Sequence, residues 1–128
     1  MSEPTARVLV VEDEAEIRRF VSQSLEREGL EVHQADSLQR GLIEAGTRRP
    51  DMLVLDLGLP DGDGVDLIRE LRKWSNIPVL VLSARIDEAD KIEALDAGAE
   101  VHALRRPVRA PWRKWLRSRG ASSVRSSG

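Results

Sequence analysis

One carboxylate at the end of an apolar run is the first residue in this chain whose position suggests chemistry. Met52–Leu55 is continuously apolar, Asp56 follows it, and the next residues form a turn rich in Gly, Pro and Asp. Short apolar runs bounded by turn residues are typical of strands that are buried on both faces. Because ligands bind outside the carboxyl ends of parallel strands, Asp56 is predicted to line a cleft. For a lone aspartate, however, capping of the turn is the more common role.

Other polar residues at strand ends favour the chemical interpretation. Glu12 and Asp13 follow the first apolar run of the chain, and Ser83 and Ala84 come at the end of another one. The first and third strands are neighbours in a right-handed doubly wound sheet, so these groups are predicted to share one pocket. Taken singly, Glu12 and Asp13 can be acids at a helix start, and Ser83 can be an N-cap. All of them together at strand ends would be a much rarer coincidence.

The chemistry predicted for this pocket is phosphoryl transfer. Clustered carboxylates repel one another unless a cation lies between them, and hard oxygen ligands suit Mg²⁺, which commonly binds one or two carboxylates together with phosphate oxygens. A carboxylate such as Asp56 can act as a nucleophile and form an acyl phosphate. Ser83 would then donate a hydrogen bond to the transferred group.

Strand and helix patterns alternate along the chain and predict the elements that hold these residues. Strands are predicted at residues 8–11, 30–35, 52–55, 78–82 and, weakly, 101–104, and helices at 14–28, 38–45, 65–74 and 87–97. Four alternations with short connections predict an α/β fold, a doubly wound parallel sheet with helices on both faces. After residue 104 the pattern does not give the long amphipathic helix that would complete the layer.

Three of the helices carry specific expectations about their ends and apolar faces. Ile43 is predicted on the apolar face of the second helix, which is predicted to end near Gly46 and Pro50. Trp74 is predicted on the apolar face of the third helix, and Ile92 and Leu95 on that of the fourth.

Composition separates an acidic body from a basic tail. The 128 residues have a formal net charge of -2, but residues 101–128 contain eight basic residues and no acidic one. The absence of cysteine excludes a disulfide scaffold and a cysteine nucleophile. No apolar run suits a signal peptide or a membrane span, so a soluble, cytoplasmic protein without a membrane partner is expected. Trp112 and Trp115 in the tail can stack on bases, but specific DNA binding by this chain is not expected.

Four segments of the sequence resemble the receiver domains of two-component response regulators. They are Val8–Glu14, Asp56–Gly64, Val81–Ala84 and Ala94–Ala99. The second segment is most similar to potassium-transport regulators of the OmpR/PhoB winged-helix subfamily. The resemblance implies a flavodoxin-like sheet with strand order 2-1-3-4-5. It also implies a signalling switch that normally controls a DNA-binding output domain, which is absent from this sequence.

The resemblance implies a role for each acid of the pocket. Asp56 would accept a phosphoryl group from a sensor histidine kinase, so the chain would be a phosphoacceptor rather than an enzyme. Mg²⁺ would be held by Asp13, Asp56 and the backbone carbonyl of Gly58, with Glu12 assisting through water. Ser83 would be the switch hydroxyl, which contacts the phosphoryl group.

The sequence departs from the family pattern after residue 99. The resemblance puts Ala84 beside the phosphoryl group, but Arg105 stands at the position of the family lysine and His102 at that of the aromatic switch residue. Arginine keeps the charge of lysine without its compact ammonium group. We therefore predict a receiver domain over residues 1–104 and an atypical basic tail over 105–128 that is partly disordered. Because the last helix of the family is replaced, a homo-dimer or an exchanged segment is also predicted.

Two other functional classes are compatible with an acid at a strand end. A phosphatase with an aspartate nucleophile normally has a second aspartate two residues later as general acid, and that position is Gly58. The sequence therefore disfavours a phosphatase. A phosphorylation-impaired pseudo-receiver that acts as an interaction module stays open, because Arg105 replaces the lysine.

Overall fold

The computed structural model of the chain describes residues 5–83 and 88–103. Within these ranges it contains seven strands and four helices. In chain order they are β1 (Arg7–Val11), α1 (Ala15–Arg27), β2 (Glu31–Ala35), α2 (Leu38–Arg48), β3 (Met52–Leu55), β4 (Gly58–Leu59), β5 (Gly62–Asp63), α3 (Gly64–Arg72), β6 (Val79–Ser83), α4 (Glu88–Asp96) and β7 (Glu100–Ala103). None of the helices in this part of the chain is long and apolar enough to cross a membrane.

Five strands form one parallel sheet in the order β2-β1-β3-β6-β7. This is the order predicted for the main strands, and the α/β fold class is confirmed. The fifth strand was the weakest expectation, and it is present as β7. It pairs with β6 from Leu80 opposite Glu100 to Ser83 opposite Ala103.

The central strands are buried on both faces because helices cover both sides of the sheet. Val8 and Val10 of β1 point to the side where Val21 and Leu25 of α1 pack. Leu9 and Val11 of β1 point to the opposite side, where α2 and α3 contribute the core. This two-sided burial explains why the strands are continuous apolar runs without polar alternation.

A small antiparallel hairpin follows β3, where the sequence indicated only a turn. Gly58 pairs with Asp63 and Leu59 with Gly62, so β4 and β5 are joined by a two-residue loop. Leu59 packs into the core on the α2 and α3 side and anchors the hairpin there.

The helix α2 ends between Gly46 and Pro50 as predicted, but its buried face differs from the expectation. The helix continues through Gly46 to Arg48, and Arg49 ends it in a left-handed conformation with φ 49°. Its buried residues are Gly41, Glu44 and Ala45, whereas Ile43 is exposed. Glu44 remains buried because the guanidinium groups of the arginines one turn before and after it, Arg40 and Arg48, pair with its carboxylate.

The expected apolar faces of the third and fourth helices also need correction. Trp74 lies beyond the end of α3 and is exposed. Ile92 and Leu95 of α4 are exposed as well, and Ala94 is the buried residue of this helix. The small Ala94 and Ala97 pack against the core, so the packed face of α4 is offset from the face that carries the large side chains.

Candidate functional site

The carboxyl ends of β1 and β3 lie side by side and bring the predicted acids together. Val11 and Leu55, the last residues of these strands, are partners in the parallel ladder. The backbone N–H of Asp56 donates to the carbonyl oxygen of Val11 at 2.9 Å. The N–H of Glu12 donates in the same way to Ala35 of β2 at 3.0 Å. The backbone of both Glu12 and Asp56 is therefore held in place by the sheet.

Glu12, Asp13 and Asp56 form one acidic cluster. Each offers a carboxylate oxygen, and these three atoms lie within 4.8 Å of one another. The cluster passes from the interior to the surface, because Glu12 is only 6% exposed, Asp56 is half-buried and Asp13 is exposed. The three acids of the predicted pocket therefore lie together.

The electrostatics of the cluster are seen most clearly at Glu12. Burial, together with a hydrogen bond to Asp56 and the charge of that residue, raises the pKa of Glu12 from 4.5 to about 8. A hydrogen bond to Asp13 acts in the same direction, and the backbone N–H of Glu14 opposes it weakly from 3.3 Å. At neutral pH Glu12 therefore keeps a proton that reduces the repulsion among the three acids. Carboxylate oxygens that repel one another at such short distances are suited to binding a hard divalent cation such as Mg²⁺.

The loop after Asp56 is shaped by a close approach of α3. A Cβ at Gly64, the first residue of α3, would lie 2.8 Å from the Cα of Leu57 and 3.0 Å from the carbonyl oxygen of Asp56. Only glycine fits at this position without a shift of the backbone. Gly58 is exposed, and its N–H donates a long bond of 3.4 Å to the Asp56 carboxylate.

Arg18 is a supporting residue that sequence reasoning missed. Its Nη1 donates to the carbonyl oxygen of Glu12 at 2.8 Å, and its Nε donates to the Gln34 side chain at 3.1 Å. The guanidinium thus joins α1 to the ends of β1 and β2 beside the cluster. An arginine on a helix is usually solvated, so no sequence signal marked this one.

Asp61 at the tip of the hairpin is the second residue that sequence reasoning missed. Its carboxylate accepts hydrogen bonds from the backbone N–H groups of Leu38 and Gln39 at the start of α2, at 2.6 and 3.0 Å. These bonds lower the pKa of Asp61. Ser37, the N-cap residue of α2, accepts a hydrogen bond from the N–H of Arg40 at 3.1 Å.

The remaining predicted site residues lie at the edge of the described part of the chain or beyond it. Ser83 is the last residue of β6, two positions past the Val81 that pairs with Leu55 of β3. His102 belongs to β7. The structure describes the strands that contain Ser83 and His102 but not the side chains of these two residues. Ala84 and Arg105 lie outside the described residues.

Comparison with known proteins gives a consistent result. The family described as "Response regulator receiver domain" matches residues 8–111. The KDP operon transcriptional regulatory protein KdpE of Escherichia coli K12 is 63% identical to the chain over 93 residues. The transcriptional regulatory protein KdpE of Mycobacterium tuberculosis H37Rv is 46% identical over 93 residues. Each alignment covers 73% of this chain and 41% of the relative, so the chain spans less than half the length of these relatives.

A solved structure provides an independent match to the fold. The chemotaxis protein CheY4 of Vibrio cholerae superposes on the chain with a TM-score of 0.72 and 29% sequence identity. The superposition covers 83% of this chain and 90% of CheY4.

Proposed function

Because this chain belongs to the response regulator receiver domain family, we propose that it is a phosphorylation-dependent switch whose phosphoacceptor is Asp56. The family membership confirms the resemblance found in the four sequence segments. The observation that carries the proposal is the position of the half-buried Asp56 carboxylate at the end of β3, beside Glu12 and Asp13. The phosphoryl donor would be a phosphohistidine of a sensor histidine kinase.

Asp13, Asp56 and the backbone carbonyl of Gly58 would hold Mg²⁺, and Glu12 would assist through a bound water. The cation supplies positive charge that offsets the carboxylates and the phosphoryl oxygens. Two observations support this assignment. The cluster offers only carboxylate oxygens, and the raised pKa of Glu12 shows that negative charges lie close together there. Loss of the Glu12 proton would accompany binding of a cation.

In the proposed reaction, a carboxylate oxygen of Asp56 attacks the phosphorus atom. The new P–O bond forms as the P–N bond to the kinase histidine breaks, and the product is an aspartyl phosphate. The β1 and β3 ladder fixes the backbone of Asp56 for this attack through its bond to Val11. The chain thus acts as a phosphoacceptor, and the catalytic machinery that makes the phosphohistidine belongs to the kinase.

The response to phosphorylation is proposed to involve the β6 and β7 edge of the sheet. Ser83 would move its hydroxyl onto the phosphoryl group, and the backbone of Ala84 would contact it. Arg105 would supply the positive charge at the lysine position, and His102 would take the aromatic switch position. The relatives are named transcriptional regulators, so the switch is proposed to control a DNA-binding output domain, with dimerisation as part of the response.

The alternative of a phosphorylation-impaired pseudo-receiver gains no support from the described residues. Glu12, Asp13 and Asp56 are together, and Arg18 and the sheet hold the strand end that carries Glu12. The residue on which this alternative depends, Arg105 at the lysine position, lies outside the described residues.

The test is modification of the chain by acetyl phosphate in the presence of Mg²⁺, followed by intact mass. We expect a gain of one phosphoryl group that requires Mg²⁺ and disappears in Asp56→Asn. Asp66→Asn is the matched control, because Asp66 is an exposed aspartate on α3 outside the cluster. Mass is a better signal than fluorescence, because Trp74 lies beyond the far end of α3. A folded chain that gains no mass, or gains it equally in Asp56→Asn, would contradict the proposal.

A further inference from the structure

The hairpin that follows the phosphoacceptor is tied to α2 by a single side chain. Both carboxylate oxygens of Asp61 accept bonds from consecutive backbone N–H groups, those of Leu38 and Gln39. The first N–H groups of a helix have no partner within the helix, and an anion there also interacts favourably with the helix dipole. Asp61 is therefore a cap for α2 that comes from more than twenty residues later in the chain.

The hairpin lies directly on the first residue of α2. A Cβ at Gly62 would lie 2.6 Å from Cδ2 of Leu38, so the hairpin contacts this side chain, which would have to move to admit a larger residue. On the other side, the Asp63 carboxylate caps α3 by accepting from the N–H of Val65 at 2.9 Å. A hairpin with two residues in each strand has little stability of its own. Its position therefore depends on these contacts with the two helices.

Gly58 stands at the opposite end of the same hairpin from Asp61. It is the first residue of β4, pairs with Asp63, and donates its N–H to the carboxylate of Asp56. Because Gly58 and the hairpin tip belong to one pair of two-residue strands, a movement of the tip away from α2 is expected to shift Gly58. The geometry thus connects the start of α2 with the residue next to the acidic cluster.

We propose that Asp61 is a positioning residue for the cation and phosphoryl site. It holds the hairpin against α2 and thereby fixes the Gly58 carbonyl in the place where it binds Mg²⁺. This inference rests on the proposed function, because it takes Gly58 as a ligand of the cation. The coupling is reciprocal, so binding of Mg²⁺ also stabilises the start of α2.

The experiment compares Asp61→Ala with Ser37→Ala. Both variants remove an acceptor from the start of α2, but only Asp61 also connects this helix to the hairpin. The half-saturating Mg²⁺ concentration is measured by calorimetric titration and by the rate of modification with acetyl phosphate. Supporting residues of metal sites commonly change metal affinity by 10-fold or more, so for this more distant residue we expect an increase of about 3- to 10-fold. Ser37→Ala should leave the Mg²⁺ affinity near that of the wild type.

A further readout separates positioning from a general loss of stability. Saturating Mg²⁺ should restore the rate of modification in Asp61→Ala, because the aspartate nucleophile is unchanged. Asp61→Asn keeps one acceptor oxygen and should give an intermediate affinity, which also provides a milder variant if Asp61→Ala does not fold.

Three outcomes would overturn the inference. Equal losses of Mg²⁺ affinity in Asp61→Ala and Ser37→Ala would show that capping of α2 alone is responsible. Unchanged affinity in Asp61→Ala and Asp61→Asn would show that the tether does not position the site. A wild-type chain that neither binds Mg²⁺ nor gains a phosphoryl group would instead remove the proposed function, and the inference with it.

Discussion

The two halves of the sheet differ in how firmly they are held. In the half built on β1 and β3, the acids follow strands that are buried on both faces, and Arg18 adds a bond to the end of β1. In the half built on β6, α4 and β7, α4 buries Ala94 and leaves Ile92 and Leu95 exposed. Phosphoryl chemistry needs a rigid support, whereas a conformational response needs an element with little packing to lose. We therefore propose that the β1 and β3 half supports phosphoryl transfer and that α4 takes part in the conformational response.

The C-terminal end of α4 is tied to α3 by the side chain of one arginine. The Arg72 guanidinium at the end of α3 donates to the carbonyl oxygens of Ile77 at 2.7 Å and Gly98 at 3.0 Å. Gly98 follows the C-terminus of α4, so this contact fixes one end of that helix. A second polar contact from α3 to α4 is an exposed ion pair between Arg69 and Glu93.

The largest expected effect concerns the buried acid of the rigid half. Because the pKa of Glu12 is raised from 4.5 to about 8, the folded chain holds a proton that the unfolded chain releases within this window. In the absence of divalent cations, stability should therefore fall as the pH rises through the window and become level above it. Each pH unit within the window changes the free energy of unfolding by at most about 1.4 kcal/mol. Urea unfolding in EDTA at several pH values measures this change in the free energy of unfolding.

Glu12→Gln is the matched variant for this measurement, because its amide stays neutral at every pH. We expect the wild type to lose stability relative to Glu12→Gln as the pH rises. Parallel pH profiles for the two proteins would mean that Glu12 holds no extra proton in the folded chain. The raised pKa of Glu12 could then no longer be used as evidence for repulsion among the acids at the ends of β1 and β3.

The second effect tests the support of the Asp56 loop. Gly64→Ala places a methyl group against the backbone of Leu57 and Asp56, which must shift to admit it. Overpacking of this kind costs about 1–3 kcal/mol. We expect denaturant unfolding to show this loss and acetyl phosphate to modify Asp56 more slowly.

Gly46→Ala is the control for the glycine substitution. Gly46 lies inside α2 with nothing within 4 Å of an added Cβ, so alanine should stabilise the helix by about 0.5–1 kcal/mol. If Gly64→Ala were also neutral or stabilising, the loop would have room to adjust. The rigid half would then be less constrained than the contacts around Asp56 indicate.

The sequence predicted the rigid half better than the other one, for a physical reason. Strands buried on both faces produce continuous apolar runs, and the residue after each run is then placed at the sheet edge by the strand itself. The shared pocket of Glu12, Asp13 and Asp56 follows from this local pattern and the order of the strands.

Features that depend on tertiary contacts were not predictable in the same way. Asp61 bonds to Leu38 and Gln39, which lie more than twenty residues earlier in the chain, and no periodic pattern in the sequence indicates such a contact. The face of α4 was misjudged because packing at this position selects the small Ala94, whereas periodicity gives more weight to Ile92 and Leu95.

The third prediction concerns the connection to α4. Arg72→Met keeps much of the aliphatic stem and removes the bonds to the carbonyl oxygens of Ile77 and Gly98. Hydrogen bonds from charged donors are stabilising, and for this half-buried arginine we expect a loss of about 1–2 kcal/mol. Amide hydrogen exchange should accelerate most at Ala97 and Ala99, whose N–H groups bond back to α4.

Arg69→Met is the matched control on the same helix. Arg69 makes only long, exposed ion pairs with Asp66 and Glu93 among the described residues, at 3.5 and 3.6 Å, and exposed pairs contribute little. Exchange near Gly98 should therefore be almost unchanged. Equal acceleration in both variants would show that α4 is held by charge along its length instead of by Arg72 at one end.

The smallest expected effect concerns a buried serine of α1, which packs on the half of the sheet built on β1 and β3. Ser22 of α1 is only 1% exposed, and its hydroxyl finds no hydrogen-bond partner among the described residues. A buried hydroxyl without a partner is unfavourable, and alanine is the better helix former, so Ser22→Ala should stabilise the chain by about 1 kcal/mol. Ser24→Ala is the control, because the Ser24 hydroxyl donates to the Phe20 carbonyl oxygen at 3.0 Å. Destabilisation of Ser22→Ala in thermal unfolding would contradict this prediction.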